Sequence, residues 1–187
     1  MINTIIYQTL ADRDNPDFVE SNGPFKCTHT NSWLGSGYYF WDTFIENAKW
    51  WGEVSLADNY MICKATIELN DTNCFDLVGN TAHMLEFEAA LKLMEENGLI
   101  NETTTVSRVL EFIIKSGSFT YNAIRINPIN SKSVHIQPNY QMSFLSNTKA
   151  HFEYKPPIQI CIFELSKVTF KDYKVIYPTY YDNDIVI

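Results

Sequence analysis

The chain has 187 residues, of which 45% are hydrophobic and 14% aromatic, and this composition predicts one globular domain over residues 1–187. The net charge of -8 argues against non-specific coating of DNA, although residues 115–187 carry a small basic excess. No stretch approaches the roughly 20 apolar residues that span a bilayer, and the N-terminus lacks the features of a signal peptide. We therefore expect no membrane partner.

Hydrophobic periodicity and turn residues predict strands at both ends of the chain and helices between them. The predicted elements, in chain order, are strands over 2–8, 25–30 and 38–41, a helix over 43–51, strands over 59–69 and 74–77, helices over 81–97 and 104–116, and strands over 121–126, 133–136, 158–165 and 173–177. Residues 11–24 and 138–157 are predicted to be loops. This order predicts an α+β fold in which two small sheets face one another.

Two local patterns refine the helix predictions. Thr43 and Glu46 have the spacing of a capping box at the start of the first helix. In the second helix, apolar residues recur at helical spacing, which predicts that they pack in the core. These residues are Met84, Phe87, Leu91 and Met94.

The four cysteines indicate a reducing compartment. They are widely spaced, lack a C-x-x-C pair and lie in apolar surroundings. We expect reduced, buried thiols in a cytoplasmic protein and no metal site. These cysteines are Cys27, Cys63, Cys74 and Cys161.

The segment from Gly35 to Phe40 contains the most informative pattern of the chain. Gly35 and Gly37 are separated by one residue, and the aromatic strand of Tyr38, Tyr39 and Phe40 follows directly. Glycine permits close approach of a ligand to the backbone, and a tyrosine offers a flat face to a planar ring. Two interpretations stay open: a pocket for a nucleotide-like ring, or a core strand that follows a turn.

The stretch W-L-G-S-G-Y-Y-F-W-D at 33–42 resembles the W-L-G-x-G-I-Y-F-W-E signature of a group of bacterial ADP-ribosyltransferase-like proteins of the diphtheria-toxin and poly(ADP-ribose) polymerase type. Three further segments resemble that group's elements in the same order: 66–69 with 74–77, 121–125, and I-Q-I-C-I at 158–162. The resemblance covers about residues 5–177. It implies a split mixed β-sheet of the ADP-ribosyltransferase type, with the helices as an insertion, that holds NAD in a cleft.

The resemblance also implies roles for individual residues. Nicotinamide would stack on Tyr39, and Gln8 replaces the first-strand histidine that contacts the adenosine ribose. Arg125 would pair either with the pyrophosphate or with an acidic neighbour. The NAD-binding residues implied in this way are Tyr7, Gln8, Thr9, Gly35, Gly37, Tyr39, Phe40, Ala48 and Arg125.

The catalytic glutamate of the polymerases and toxins matches Gln159 here. Cleavage of the nicotinamide–ribose bond develops positive charge that a carboxylate stabilises, and a neutral amide cannot act as a general base. Gln159 can orient a ribose hydroxyl, or it is a buried strand residue with satisfied hydrogen bonds. Glu153, in the preceding loop, is then the candidate carboxylate. The implied catalytic set is Gln8, Tyr39, Gln159 and Glu153.

These implications predict an NAD-dependent mono-ADP-ribosyltransferase that modifies an intracellular protein or nucleic acid. Basic and aromatic residues alternate in the loop over 138–157, a pattern that suits contact with an RNA or DNA acceptor as well as with a protein. Toxins and phage-defence effectors occur in this class, and an antitoxin partner is an associated expectation. The alternatives are an NAD glycohydrolase, a non-catalytic NAD or ADP-ribose binding module, and a structural protein that shares the fold.

Overall fold

The computed structural model describes residues 1–29, 32–57, 59–128, 140–146 and 149–181. Seven strands are hydrogen-bonded into one sheet in the order β4-β5-β8-β2-β1-β3-β9, and β6 pairs with β7 in a separate hairpin. The strands are β1 Ile2–Ala11, β2 Tyr38–Asp42, β3 Tyr60–Leu69, β4 Cys74–Asp76, β5 Ala123–Ile126, β6 Gln141–Ser143, β7 His151–Glu153, β8 Gln159–Ile162 and β9 Thr169–Tyr177.

The sheet is mixed, because β4 and β5 run parallel whereas the other neighbouring strands run antiparallel. Together with the helices it confirms the α+β class. Each of its seven strands overlaps a predicted strand. Their hydrogen bonds form one continuous sheet, which differs from the two facing sheets that we expected. The predicted strand over 133–136 lies outside the described residues. Of the predicted strand over 25–30, the structure describes 25–29, and there only Cys27 forms a bridge, to Gly37.

The described residues include four α-helices: α1 Pro16–Asn22, α2 Ile45–Leu56, α3 Thr81–Glu96 and α4 Val106–Lys115. The predicted loop over 11–24 is therefore wrong in part. Pro16 occupies the first turn of α1, and the side chain of Asn15 accepts a hydrogen bond from the Phe18 amide. A helix of only two turns has too short a hydrophobic pattern to be recognised by periodicity.

The predicted capping box at α2 is also wrong. Phe44 is the N-cap residue of α2, and it makes no side-chain cap bond. Thr43 adopts a φ of 62° and lies before the helix. Its hydroxyl donates instead to the Asp42 carboxylate at 2.9 Å. The predicted loop over 138–157 likewise contains the β6–β7 hairpin, in which Met142 lies opposite Phe152.

The two faces of the sheet carry different side chains. On the first face, Ile6, Phe40 and Ile160 pack in the largest core cluster, against Phe170 of β9. On the second face, Tyr7 and Trp41 pack under α2, and Leu110 of α4 packs on Ile124 and Cys161. Helices therefore cover the second face at two places, and the strip of sheet between them is positioned to form a cleft.

The predicted apolar stripe on α3 is confirmed in part. Met94 is fully buried against Val109 and Ile113 of α4, with Phe87 and Leu91 packed beside them. Met84 is 39% exposed and lies away from this cluster.

A buried ion network connects three strands on the first face. The Arg125 side chain donates from Nε to Asp42 Oδ2 at 2.8 Å and from Nη1 to Asp76 Oδ1 at 3.1 Å. The three side chains are 15%, 3% and 10% exposed, respectively. Burial lowers the pKa of Arg125, but the two carboxylates more than offset this, so that the pKa is raised. Arg125 thus joins β5 to β2 and β4.

Replacement of Arg125 by methionine should strongly destabilise the fold, because it leaves two buried carboxylates without a cation. We expect a loss of about 3 kcal/mol in the free energy of unfolding, measured by urea denaturation. Lys92→Met is the matched control, since it removes an exposed ion pair with Glu88 and should change stability little. Equal losses of unfolding free energy in the two variants would contradict a stabilising role for the buried ion network.

Candidate functional site

A cavity of about 550 Å³ opens on the second face of the sheet. The end of β1, the segment before β2, strand β2 itself, helix α2 and the start of β8 surround it. Its volume lies within the range of about 300–1,000 Å³ that is typical of small-molecule sites. Its lining residues are Gln8, Thr9, Leu10, Ala11, Phe25, Lys26, Cys27, Thr28, His29, Ser32, Trp33, Tyr39, Phe40, Trp41, Trp51, Ser55, Leu56 and Gln159.

The chemistry of this cavity contrasts with that of the whole chain. Although the chain has a net charge of -8, none of the described residues that line the cavity is an aspartate or a glutamate. Lys26 and His29 are its basic side chains. Trp33 and Trp51 line it and are partly exposed, at 45% and 36%. An aromatic, carboxylate-free cavity suits a planar ligand that carries negative charge.

Tyr39 lines the cavity from β2, and its hydroxyl closes the preceding turn. It donates to the Gly35 carbonyl at 2.7 Å and accepts from the Leu34 amide at 2.9 Å. Burial, together with the neighbouring Cys161 thiol, raises the pKa of Tyr39. The phenol therefore stays protonated at neutral pH. Its hydroxyl holds the turn at Leu34 and Gly35, which leaves the aromatic ring as the part of Tyr39 that can contact a ligand.

Gln159 lines the same cavity from β8. In the sheet register it lies between Trp41 of β2 and Ile126 of β5. The residue is 9% exposed, and its Oε1 atom is buried with no hydrogen-bond partner among the described residues. A buried acceptor without a partner is costly, so Gln159 keeps an unused hydrogen-bond acceptor at the border of the cavity.

Gln8 borders the cavity, but its side chain is bonded within the protein, so its predicted role as a ligand contact stays a prediction. Gln8 lies opposite Cys63 of β3, whose side chain belongs to a core cluster with Val175 on the first face. Its Nε2 donates to the Phe25 carbonyl at 2.8 Å, and its Oε1 accepts from the Phe25 amide at 3.0 Å. Strand alternation puts this side chain on the face opposite to Tyr39 and Gln159.

The neighbours of Gln8 on β1 face the second side of the sheet. Thr9 lines the cavity, and its hydroxyl donates to the Ala48 carbonyl of α2 at 2.9 Å. Tyr7 and Ala48 are buried together under α2 and do not line the cavity. Burial and the charge of Glu46 raise the pKa of Tyr7. Tyr7 and Ala48 thus support the site without reaching it.

Phe40 borders the cavity, but its side chain does not enter it. The side chain lies in the core of the first face, against Phe170. Of the NAD-binding residues implied by the resemblance, the structure brings Gln8, Thr9, Tyr39 and Phe40 to the border of the cavity.

The two glycines of the turn do not line the cavity. A Cβ atom at Gly37 would overlap the Cys161 sulfur, so this glycine permits close packing of β2 on β8. Gly35 has a φ of 87°, a conformation that L-residues rarely adopt. Both glycines therefore serve the turn, and their predicted contact with NAD is not supported by their positions.

Two further predicted residues lie outside the cavity. Arg125 is on the first face of the sheet, in the ion network with Asp42 and Asp76, so the acidic-neighbour interpretation is correct. Glu153 lies in β7 of the separate hairpin, opposite Gln141, and does not line the cavity. The structure therefore does not bring Glu153 together with Tyr39 and Gln159 at the cavity.

Sequence reasoning assigned no role to several cavity residues. Trp51 follows Trp50 in α2, but one helical step turns Trp50 into the core and leaves Trp51 at the cavity. Lys26 and Cys27 belong to a segment without a regular element, where no periodic pattern identifies the exposed side. In the described part of the chain no three His, Cys, Asp or Glu residues cluster as metal ligands, and none of the described helices is long and apolar enough to cross a membrane.

Comparisons with protein-family models, with curated proteins and with solved structures found no match to this chain. The motif resemblance and the geometry of the cavity are therefore the evidence on function.

Cys27 offers a direct chemical test of the cavity. It lines the cavity and is partly exposed, whereas Cys63, Cys74 and Cys161 are buried. We expect iodoacetamide to alkylate Cys27 first, and we expect a ligand that fills the cavity to slow this reaction.

The test is read by peptide mass spectrometry with and without saturating NAD. The three buried cysteines are internal controls, because their alkylation reports unfolding. Burial also raises the pKa of the Cys161 thiol to about 12, which further suppresses its reaction. An unchanged rate at Cys27 with NAD bound would place the ligand elsewhere.

Proposed function

We propose that this chain binds NAD in the cavity on the second face and transfers its ADP-ribose, once, to a macromolecular acceptor. The observation that carries the proposal is the convergence of Tyr39 and Gln159. These side chains come from different strands, match the stacking and catalytic positions of the resembled family, and line the same cavity. Their common face follows from the register in which β2 pairs with β8.

The character of the cavity supports this ligand class. NAD carries two planar rings and a negatively charged pyrophosphate. Aromatic side chains of the cavity can stack on planar rings, and the lack of carboxylates among its described residues avoids repulsion of the phosphates. Lys26 and His29 add basic character on the same wall.

The proposed reaction breaks the bond between the ribose C1′ atom and the nicotinamide nitrogen. Nicotinamide leaves as a neutral ring with the bonding electron pair, and an acceptor nucleophile forms the new bond to C1′ and releases its proton. The Oε1 atom of Gln159 has no partner among the described residues, and a small rotation of this buried side chain toward the cavity would let it accept a hydrogen bond from a ribose hydroxyl and so orient the sugar. As a neutral amide, it leaves the proton of the acceptor to solvent or to the acceptor itself.

One observation favours a second candidate, a non-catalytic module that binds NAD or ADP-ribose. The described cavity residues include no carboxylate that could stabilise positive charge on the ribose or act as a base. In such a module Gln159 would contribute to recognition alone.

The function is tested by incubating the purified chain with NAD that is labelled in the adenosine half, in the presence of cell lysate. Nicotinamide release and label on protein, RNA and DNA are followed together. Label on one class of macromolecule supports a transferase and identifies its acceptor class. Nicotinamide release without label indicates a glycohydrolase, and NAD binding with neither result indicates a binding module.

Substitutions of Gln159 separate catalysis from binding. Gln159→Leu removes the acceptor and should lower the rate of nicotinamide release at least tenfold, an effect of about 1.4 kcal/mol on the barrier. Gln159→Glu places a carboxylate beside the ribose and should retain or raise that rate. Circular dichroism controls for folding, and equal nicotinamide release by the leucine variant and the wild type would exclude Gln159 from the reaction.

A further inference from the structure

One wall of the cavity is an irregular segment, residues 25–29, which we call the wall segment. Five consecutive residues of this segment line the cavity, although none of them belongs to a helix or a strand. Its position must therefore come from contacts other than the hydrogen-bond ladder of the sheet. Two contacts hold its backbone to the sheet: the bridge of Cys27 with Gly37, and the side chain of Gln8 at Phe25. Side-chain packing adds to them, because the Phe25 ring stacks on Phe18.

The Gln8 side chain pairs with Phe25 as a neighbouring strand would. Its amide donates to the Phe25 carbonyl and accepts from the Phe25 amide, at 2.8 and 3.0 Å. The hydroxyl of Tyr173 donates to the same Oε1 at 2.7 Å and fixes the orientation of the amide. Gln8 is only 4% exposed, so water does not compete with these bonds.

The same tyrosine also contacts the chain just before the wall segment. A Cβ atom at Gly23 would overlap the Tyr173 ring, which shows how closely the two pack. The Gly23 amide in turn donates to the Val19 carbonyl of α1 at 2.9 Å. Gln8 and Tyr173 therefore fix the start of the wall segment from the face of the sheet opposite to the cavity.

We propose that Gln8 is a positioning residue, which sets the affinity of the cavity for NAD by holding the wall segment against β1. The inference rests on the proposed function and assigns to Gln8 a role without side-chain contact to the ligand. Replacement of Gln8 frees both polar groups of Phe25 from their partners. The backbone of the wall segment then keeps the Cys27–Gly37 bridge but loses its second anchor at Phe25, and only the molecules in which it is correctly placed bind ligand.

The test compares Gln8→Met with Tyr173→Phe. Methionine has a similar length and cannot form the hydrogen bonds, whereas the phenylalanine variant loses one bond to Oε1 and keeps the pairing of Gln8 with Phe25. If the wall segment is placed correctly in about a tenth of Gln8→Met molecules, their Kd for NAD rises about tenfold. We expect Tyr173→Phe to change this Kd much less.

Two measurements are made on each variant: NAD affinity by calorimetry, well below the melting temperature, and hydrogen exchange of the Phe25 and Cys27 amides without ligand. Gln8→Met should accelerate this exchange and weaken binding together. Should that variant not fold, Gln8→Glu replaces it, because it keeps the acceptor and loses only the donor to the Phe25 carbonyl.

Normal NAD affinity in folded Gln8→Met protein would overturn the inference, as would equal losses of affinity in Gln8→Met and Tyr173→Phe. Arg125→Met is the control for general destabilisation, since Arg125 lies on the same face but touches neither the wall segment nor Tyr173. Absence of NAD binding by the wild type overturns the proposed function itself, and the inference with it.

Discussion

The pairing register of β1, β2 and β8 determines which side chains can meet a ligand. Tyr7 lies opposite Trp41, and Trp41 lies opposite Gln159, so these three residues share the second face. Because side chains alternate along a strand, a shift of one residue would move Gln159 to the first face and Gln8 to the second. This register determines the position of the cavity, of the unpaired Oε1 atom of Gln159 and of the buried Tyr7 side chain.

The same alternation keeps the Arg125 ion network away from the cavity. The ion network of Arg125 with Asp42 and Asp76 is on the first face, where it stabilises the junction of strands β2, β4 and β5. The second face presents aromatic and uncharged polar groups to the cavity instead. A chain with a negative net charge can thus offer a cavity that suits an anionic ligand, because its carboxylates lie in ion pairs or in solvent away from the cavity.

The strands were predictable because apolar residues alternate or run continuously over β1, β3 and β8. The two longer predicted helices were recognisable because Gly98 and Gly117 follow α3 and α4 within two residues. The site residues were harder to predict, because a motif match gives the position of a residue in the sequence but not the face of the sheet on which its side chain lies. Gln8 was assigned to the ligand by its match to a histidine, yet its side chain lies on the other side of the sheet. Glu153 was chosen by its closeness in sequence to Gln159, and its hairpin was not foreseen. Trp51 becomes recognisable only when the direction of α2 over the sheet is known.

The central claim is that the cavity on the second face is the NAD site, and hydrogen–deuterium exchange with and without NAD tests it most directly. The account predicts that NAD slows exchange in peptides that cover residues 8–11, 25–29 and 51–56. These three separate parts of the chain contain residues that line the cavity. Peptides around Arg125 and Asp76 should exchange at unchanged rates. Protection of only the peptides around Arg125 and Asp76, or no protection at a saturating NAD concentration, would contradict the account.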